Sequence, residues 1–481
     1  MVDWEQVAAE LARCLEPRRV VRRREELLVY ECDGLTSYRQ RPPLVVLPKT
    51  TAEVQAVIQI CRQYGIPFVP RGAGTGLSGG ALPEENAVLI VTAMMRQILA
   101  VDVPNRRVVV QPGVINTWVT QAVSGQGFYY APDPSSQSVC SVGGNVAENS
   151  GGVHCLKYGV TTNHVLGLTL VTGLGEVVTL GGMVPEQPGY DLTGVVVGSE
   201  GTLGIVTEVT LNILRAPETV QVVCADFPTV TQAGAAVSAI IAAGIIPGGM
   251  EIMDQLSINA VEDVVATGCY PRDAGAILLV ELDGLPQEVA EAMAQVRALC
   301  QANGARGIQV ATDAQEREKL WRGRKAAFAA MGRISPNYYV QDGVVPRSQL
   351  PWILQEIERL SQAWGYRIAN VFHAGDGNLH PLILYDQSVP GALQAVERLG
   401  GEILKRCIQA GGSISGEHGV GVEKRCYMSD LFSPADLATM QAVRRAFDPD
   451  RLANPSKIFP TPRTCGERVQ AVSKFPGVPV Y

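Results

Sequence analysis

The stretch from Pro70 to Gly80 constrains the fold of this chain more than any other. It reads PRGAGTGLSGG and has five glycines among residues 72–80, which disfavours both helix and strand. Because glycine reaches positive φ and has no side chain, such a run predicts a loop that another group can approach closely. Successive free N–H groups in a loop of this kind form a concave anion site that suits a pyrophosphate.

The same stretch contains the spacing G-x-G-x-x-G from Gly74 to Gly79, which is typical of dinucleotide-binding proteins. That fingerprint should open a helix, whereas here Pro83 and the apolar run 88–91 predict a strand. We therefore expect a phosphate-binding loop between strands, outside a Rossmann unit, and do not expect a nicotinamide dehydrogenase. The alternative is a glycine-rich surface loop that binds no ligand.

Composition excludes several classes of protein. A length of 481 residues predicts two or three domains, and a net charge of −7 argues against nucleic acid as a partner. The eleven cysteines include no C-x-x-C, which excludes the usual zinc-ribbon or iron–sulfur arrangement within this chain. With no signal peptide, we expect free thiols and a cytoplasmic location. The longest apolar run, 235–246, is too short to span a bilayer.

Local patterns predict how the glycine loop is held. Residues 44–47 are an apolar strand, and Thr50 with Glu53 has capping-box spacing at the start of a helix. Gly65 ends that helix, and Phe68 begins a strand that leads into the loop. Two further segments of small residues follow, at 142–152 and 195–206, and a hairpin is predicted about the turn 172–176. Three such segments indicate a long ligand.

Beyond Pro217 the pattern changes to strands that alternate with long amphipathic helices. This predicts an α+β layer with an antiparallel sheet. The predicted strands are 209–214, just before this boundary, and then 220–227, 276–282, 338–345, 368–372 and 381–385. The clearest predicted helices are 287–302, 349–364 and 393–409.

Three of the five histidines lie in two short motifs. His373 and His380 flank the turn sequence GDGN, which can fold the chain back so that the two rings converge. Glu417 and His418 lie together in a second glycine-flanked motif. Two histidines and a carboxylate form a metal-ligand set that leaves room for a substrate. The alternative is a set of turn residues with hydrogen-bonded histidines.

Arg324 is a candidate anion-binding residue. Trp321 and Phe328 have the spacing that places them on the same helical face as Arg324. An inward-facing arginine needs an anion, and a substrate carboxylate can accept two parallel hydrogen bonds from its guanidinium. The alternative is a solvated basic patch, because Arg322 and Lys325 are adjacent.

Taken together, these motifs resemble one family over nearly the full length of the chain. It is the FAD-linked family of the glycolate oxidase FAD subunit and D-lactate dehydrogenase, which joins a vanillyl-alcohol oxidase-type FAD-binding domain to an FAD-linked oxidase C-terminal domain. The stretches that carry the resemblance are 70–80, 132–136, 143–152, 198–205, 373–380, 416–419 and 454–458. The resemblance implies an N-terminal helical segment at 1–41, the FAD-binding domain at 42–217, an α+β substrate and metal-binding cap domain at 218–446, and a C-terminal segment at 447–481 that returns to the FAD domain.

The resemblance also implies which residues bind cofactor and substrate. Non-covalent FAD would contact Pro70, Arg71, Gly72, Ala73, Gly74, Thr75, Gly76, Ser78, Gly79, Gly80, Pro132, Asp133, Ser135, Ser136, Gly143, Gly144, Asn145, Gly151, Gly152, Glu200, Gly201, Thr202, Ile205 and Asn454. A divalent metal, zinc or manganese, would be held by His373, His380 and Glu417. His418 would be the catalytic base, and Arg324, Asn378 and His418 would bind the substrate.

The implied activity is oxidation of a small D-2-hydroxy acid, glycolate or D-lactate, to the 2-oxo acid, with hydride passing from Cα to flavin N5. Family members that act on glutarate-type substrates have a lysine at the place of Val340 and a threonine at the place of Phe328. Both differences favour a small acid over D-2-hydroxyglutarate, which stays an alternative, as does a non-catalytic accessory subunit. A quinone or an iron–sulfur partner subunit would accept the electrons. A homodimer and a peripheral association with the inner face of a membrane stay open.

Overall fold

The computed structural model describes residues 2–184 and 188–460, and the chain divides into two compact units. Unit 1 consists of Met1–Ser150, Val160–Ala216 and Glu417–Tyr481, and unit 2 of Gly151–Gly159 and Pro217–Gly416. Part of the predicted C-terminal segment 447–481 lies outside the described residues, because these end at 460. The predicted domain boundaries stay predictions.

The strands are numbered in chain order. They are β1 Val20–Val21, β2 Leu44–Val46, β3 Phe68–Arg71, β4 Val88–Val91, β5 Ile98–Asp102, β6 Arg107–Val110, β7 Phe128–Tyr129, β8 Val165–Thr172, β9 Val177–Gly181, β10 Gly204–Asn212, β11 Leu214–Arg215, β12 Thr219–Phe227, β13 Gly249–Asp254, β14 Ala276–Gly284, β15 Gly307–Val310, β16 Asn337–Val340, β17 Ile368–His373 and β18 Pro381–Tyr385.

The α-helices are numbered in the same way. They are α1 Trp4–Cys14, α2 Arg24–Leu27, α3 Thr51–Tyr64, α4 Asn116–Val123, α5 Val142–Glu148, α6 Cys155–Tyr158, α7 Leu192–Val196, α8 Val230–Ala242, α9 Gln255–Val264, α10 Pro286–Ala302, α11 Ala314–Ala330, α12 Leu350–Trp364, α13 Ala392–Gln409, α14 Met428–Leu431 and α15 Pro434–Phe447. Within the described residues, none of these helices combines the length and the apolar composition that crossing a membrane requires.

The first sheet of unit 1 positions the glycine loop. Its strand order is β1-β2-β4-β3, and β2 and β3 both run parallel to β4. The predicted helix between β2 and β3 is confirmed as α3. Thr50 accepts the Glu53 N–H at its start, and Gly65 closes it at a φ of 60°. The segment after β3 leads to β4 without an intervening helix, so the predicted loop between strands is confirmed.

The second sheet of unit 1 is antiparallel, with the order β5-β6-β10-β8-β9. The predicted hairpin is confirmed as β8 and β9, which pair from Gly167 with Gly181 to Val171 with Val177. β10 begins at Gly204, earlier than the predicted start at residue 209. At Gly204 a β-carbon would lie 2.2 Å from the Val171 carbonyl oxygen, so only glycine allows β8 and β10 to approach this closely.

An apolar cluster packs on each of these two sheets of unit 1. In the first, α1 and α3 cover the parallel strands with Val7, Leu11 and Val57. In the second, Val142 and Val146 of α5 pack with the five-stranded sheet. The small-residue segment from Val142 onward therefore folds as a short helix held by its two buried valines.

Unit 2 is built on one antiparallel sheet of seven strands, ordered β15-β12-β14-β13-β17-β18-β16, which confirms the predicted α+β layer. β16 ends at Val340 rather than at the predicted residue 345, because its pairing with β18 stops at Val340. β13 and β15 were not predicted. β13 lies at the middle of the sheet. Its sequence, GMEIMD, contains two acidic residues, which are uncommon in strands and explain why it was not predicted.

Candidate functional site

The first two glycine-rich segments meet within unit 1. A β-carbon on Gly72 would lie 2.2 Å from the Ser141 hydroxyl and 3.5 Å from the Gly144 nitrogen. Ser141 is the N-cap of α5 and accepts the Gly144 N–H at 3.4 Å. The loop after β3 therefore lies against the first turn of α5, which contains Gly143, Gly144 and Asn145.

The third glycine-rich segment and the C-terminal motif contact the same loop. A β-carbon on Gly201 would lie 2.3 Å from Cγ of Pro70. The Asn454 amide donates to the carbonyl oxygens of Gly80 at 3.0 Å and of Glu200 at 2.6 Å. Four predicted FAD-binding segments, far apart in sequence, thus lie together in unit 1.

Polar atoms and free space in this region fit a phosphate-bearing ligand. Ser78 is fully buried, and its hydroxyl, like the side-chain oxygen of Asn454, has no hydrogen-bond partner among the described residues. Around Gly76, no described atom lies within 4 Å of where a β-carbon would stand. A buried hydroxyl without a partner costs free energy unless a ligand or water satisfies it, and the space at Gly76 could hold such a ligand.

The side chain of Arg71 packs against the glycine loop. Its guanidinium donates to the Cys32 carbonyl oxygen at 2.7 Å, and a β-carbon on Gly74 would lie 2.2 Å from it. Burial lowers the pKa of Arg71, and Asp33 opposes that shift. Burial raises the pKa of Asp33 to about 6, although the backbone N–H of Leu35 donates to it. The side chain of Arg71 therefore makes contacts that hold the loop in shape.

The other residues predicted to bind FAD lie in several different parts of the structure. Asn116 donates to the Pro132 carbonyl oxygen at 3.0 Å and to the Asn145 side chain at 3.2 Å, which ties the segment 132–136 to α5. The Thr202 hydroxyl donates to Ser199, and Ile205 belongs to the apolar core around α3. Asp133, Ser135 and Ser136 lie in the irregular segment after β7, and Gly151 and Gly152 lie in unit 2.

Glu200 positions the backbone that follows His418. Its two carboxylate oxygens accept the N–H groups of Val420 and Gly421, each at 2.6 Å. Burial raises the pKa of Glu200, and these backbone donors oppose the shift. In the same unit, Nε2 of His418 lies 3.9 Å from Oε1 of Glu417. Glu200 therefore orders the chain just after the two predicted site residues.

In unit 2, the turn between β17 and β18 brings His373 and His380 together. The two strands pair in antiparallel fashion, and His373 forms a bridge with Asn378 within the turn. The ring centroids of His373 and His380 lie 5.0 Å apart, with the planes at 84°. Both residues are buried. The predicted convergence of these rings is confirmed.

Arg324 is buried, so it does not belong to a solvated basic patch, although Arg322 and Lys325 beside it are exposed. Its Nε donates to Oε2 of Glu251 at 2.8 Å, and Nη2 lies 2.6 Å from the same oxygen. The other carboxylate oxygen of Glu251 lies 2.7 Å from Nδ1 of His373. One buried carboxylate therefore contacts both a predicted substrate-binding residue and a predicted metal ligand.

Asp342 holds together the segments on which other predicted site residues lie. Its Oδ1 accepts from the Asn378 amide at 2.8 Å and lies 3.6 Å from Nε2 of His380. Its Oδ2 accepts from the Ser415 hydroxyl at 2.7 Å and the Gly416 N–H at 3.1 Å. Glu417 and His418 follow Gly416 directly in the chain.

The aromatic neighbours of Arg324 on α11 have different partners. The Phe328 ring lies 5.9 Å from the His380 ring, at 72°. The Trp321 indole donates to Glu281 at 2.7 Å. Phe328 thus fills space beside the histidine pair, whereas Trp321 is engaged elsewhere on the sheet.

Two buried acids, Glu251 and Asp342, were missed as site residues. The sequence does hold a signal for Glu251, because a glutamate between Met250 and Ile252 is unusual in a central strand. Asp342 lies two residues after the end of β16, which is a weaker signal.

Comparison with known proteins identifies both halves of the chain. Residues 42–181 match the family model described as FAD binding domain, and residues 216–458 match FAD linked oxidases, C-terminal domain. The second match alone covers about half of the chain.

Similar proteins span nearly the whole length. The chain is 53% identical to glycolate oxidase subunit GlcD of Escherichia coli (strain K12), over 92% of this chain and 89% of that protein. It is 32% identical to D-lactate dehydrogenase of Anaerostipes hadrus, over 92% of this chain and 95% of that protein.

A solved structure of p-cresol methylhydroxylase with bound substrate has a TM-score of 0.80 to this chain at 16% identity, covering 95% of this chain and 96% of that one. At this identity the likeness shows the fold alone, and it confirms the predicted fold class. By its domains and its relatives, the chain belongs to the family of FAD-linked oxidases that includes GlcD subunits and D-lactate dehydrogenases, and it is an FAD-linked oxidoreductase.

Proposed function

We propose that this chain oxidises a small D-2-hydroxy acid, glycolate or D-lactate or both, to the 2-oxo acid, using FAD and a divalent metal. The names of its relatives support the substrate class. The observation that carries the proposal is the close pair of buried imidazoles of His373 and His380, in the unit that also buries Arg324. A 2-hydroxy acid presents a hydroxyl and a carboxylate, which need these two kinds of partner.

His373 and His380 would bind the metal, zinc or manganese, with Glu417 as the third ligand. Nδ1 of His373 lies 2.7 Å from Oε1 of Glu251, so Nε2 is the ring nitrogen that would bind the cation. When bound, the metal would act as a Lewis acid for the substrate hydroxyl and lower its pKa. Imidazoles and a carboxylate are suitable ligands for either ion.

Arg324 and Asn378 would hold the substrate. The Nη1 edge of the Arg324 guanidinium does not contact Glu251 and can receive a carboxylate. The Asn378 side-chain oxygen has no hydrogen-bond partner among the described residues and can accept one from the substrate hydroxyl. Phe328 beside His380 and the buried, apolar Val340 offer no polar group for a second carboxylate, which favours a small acid.

His418 would take the hydroxyl proton on an imidazole nitrogen. An imidazole has an unperturbed pKa near neutrality, which suits it to this step. FAD, held non-covalently by the segments around Gly76 and Ser78, would supply the hydride acceptor. Glu200, through Val420 and Gly421, would keep the backbone after His418 in place.

The electrons would leave through a quinone or an iron–sulfur partner subunit. The E. coli relative is named as a subunit of glycolate oxidase, which supports a partner chain. A homodimer, a cytoplasmic location and a peripheral association with a membrane belong to the same proposal.

The test is anaerobic bleaching of the flavin absorbance by glycolate, D-lactate, L-lactate and D-2-hydroxyglutarate, each with and without a chelator. We expect glycolate or D-lactate to bleach the flavin and the chelator to abolish the bleaching. Bleaching by D-2-hydroxyglutarate alone would show that the substrate assignment is wrong. A protein that contains FAD but is bleached by none of these acids would contradict the proposed reaction and favour an accessory role.

A further inference from the structure

We propose that Glu251 is a positioning residue that couples the metal site to the substrate-anion site. This inference rests on the proposed function, because it assumes that His373 binds the metal and that Arg324 binds the substrate carboxylate. Glu251 belongs to the strand β13, which was not predicted from the sequence, and none of the roles proposed above includes it.

The fold brings Glu251 into contact with both residues. β13 pairs with β17, and Glu251 stands opposite His373 in the antiparallel register. Arg324 reaches the same carboxylate from α11. The side chain of Glu251 is fully buried, and that of Arg324 is 4% exposed. A buried pair of this kind persists only where its geometry is good.

The first consequence concerns the tautomer of His373. Oε2 of Glu251 accepts from the Arg324 guanidinium and Oε1 lies 2.7 Å from Nδ1 of His373, and a carboxylate oxygen can only accept a hydrogen bond. The proton of a neutral His373 ring therefore lies on Nδ1, and Nε2 is the nitrogen that would bind the metal. A carboxylate behind a ligating histidine fixes the orientation of the ring and raises its basicity as a ligand.

The second consequence concerns charge. A guanidinium buried beside a histidine pair would repel a divalent cation strongly, since charges interact over long range in a poorly solvated interior. Glu251 offsets this charge and accepts a hydrogen bond from Nε of Arg324, with Nη2 lying 2.6 Å from the same oxygen. Arg324 is thereby oriented to bind a substrate carboxylate while the neighbouring histidines bind a cation.

The chain offers a closely matched control in Glu281, on the adjacent strand β14. Glu281 is also buried, and it also contacts a histidine and a residue of α11. Nε2 of His154 lies 2.8 Å from Oε1, and the Trp321 indole donates to Oε2 at 2.7 Å. It has no role in the proposed metal or substrate site.

The experiment compares Glu251→Gln with Glu281→Gln in the full-length, FAD-loaded chain. The readouts are the dissociation constant for Zn²⁺ alone, by competition with a chelator, the FAD content, and KM and kcat separately. We expect Glu251→Gln to weaken Zn²⁺ binding about 10- to 100-fold with FAD content unchanged. KM should rise as well, because Arg324 loses its fixed orientation. Glu281→Gln should bind Zn²⁺ like the wild type.

Zn²⁺ binding by Glu251→Gln within twofold of the wild type would overturn the inference while leaving the proposed function intact. Equal weakening in both variants would also overturn it, because the effect would then be general to buried glutamates of the sheet. A wild type that binds neither Zn²⁺ nor Mn²⁺ would overturn the proposed metal site itself, and the inference with it.

A second variant covers the case in which Glu251→Gln does not fold. Removing one partner of a buried ion pair leaves a charge unpaired, whereas removing both often costs little. The double variant Glu251→Gln with Arg324→Met removes both charges. We expect it to fold with FAD bound and to bind Zn²⁺ more weakly than the wild type, since His373 has still lost its carboxylate partner, but more tightly than Glu251→Gln, since no uncompensated Arg324 charge repels the cation. Wild-type Zn²⁺ affinity in this variant would overturn the inference.

Discussion

Replacing Gly76 by valine tests whether the glycine loop binds FAD, as distinct from being a glycine-rich turn. No described atom lies within 4 Å of a β-carbon at this position, and Gly76 is not among the residues with positive φ. The added β-carbon therefore meets neither a neighbouring side chain nor the strain of a positive φ in the ligand-free protein. It would enter the space that the proposed FAD site leaves open.

The expected loss in the free energy of unfolding differs between the FAD-free and the FAD-bound protein. Without FAD, the free energy of unfolding should change by less than about 1 kcal/mol, as for other unstrained substitutions outside the core. With FAD at about 100 times its wild-type dissociation constant, a 100-fold loss of affinity would remove about 2 kcal/mol of ligand-derived stabilisation. By contrast, Gly72→Ala should destabilise both forms, because its β-carbon would stand 2.2 Å from the Ser141 hydroxyl.

The assay is chemical unfolding of the full chain with and without added FAD, together with a flavin fluorescence titration. Gly125→Val is the matched control, because it has the same free space in unit 1 but lies on an exposed turn of 3-10 helix at 124–126. It should keep both stability and FAD affinity. Wild-type FAD affinity in Gly76→Val, or equal destabilisation with and without FAD, would refute the assignment of this loop.

Three further predictions concern single side chains. His418→Ala should keep its FAD but lose anaerobic bleaching by the substrate, and normal bleaching would exclude His418 as the base. Glu417→Ala should lower the metal content measured by elemental analysis, and an unchanged content would exclude it as a ligand. Burial raises the pKa of Asp33 from 3.8 to about 6, so its contribution to stability is complete below pH 4 and is lost as the pH rises through 6. Relative to the wild type, Asp33→Asn should therefore gain up to about 3 kcal/mol of stability as the pH rises from 4 to 7, measured by urea unfolding; a pH-independent difference would contradict the raised pKa of this buried carboxyl.

Local sequence patterns were sufficient for the parts of the fold that depend on neighbouring residues. The cap at Thr50, the left-handed Gly65 and the apolar face between them determine α3 over a single stretch of chain. The turn between His373 and His380 is equally local, and it brings the rings together as predicted. Such features follow from residues only a few positions apart, whose spacing is visible in the sequence.

Only the tertiary structure showed that Glu251 contacts His373 of that histidine pair. Glu251 and His373 are 122 residues apart, and they meet because β13 pairs with β17 although other elements separate them in the chain. The order of strands in a sheet is decided by burial of whole faces, which no short pattern encodes. The sequence by itself therefore left Arg324 either as an inward-facing anion-binding residue or as part of a basic patch, and the tertiary structure decided that it is buried and that a glutamate of the protein contacts it.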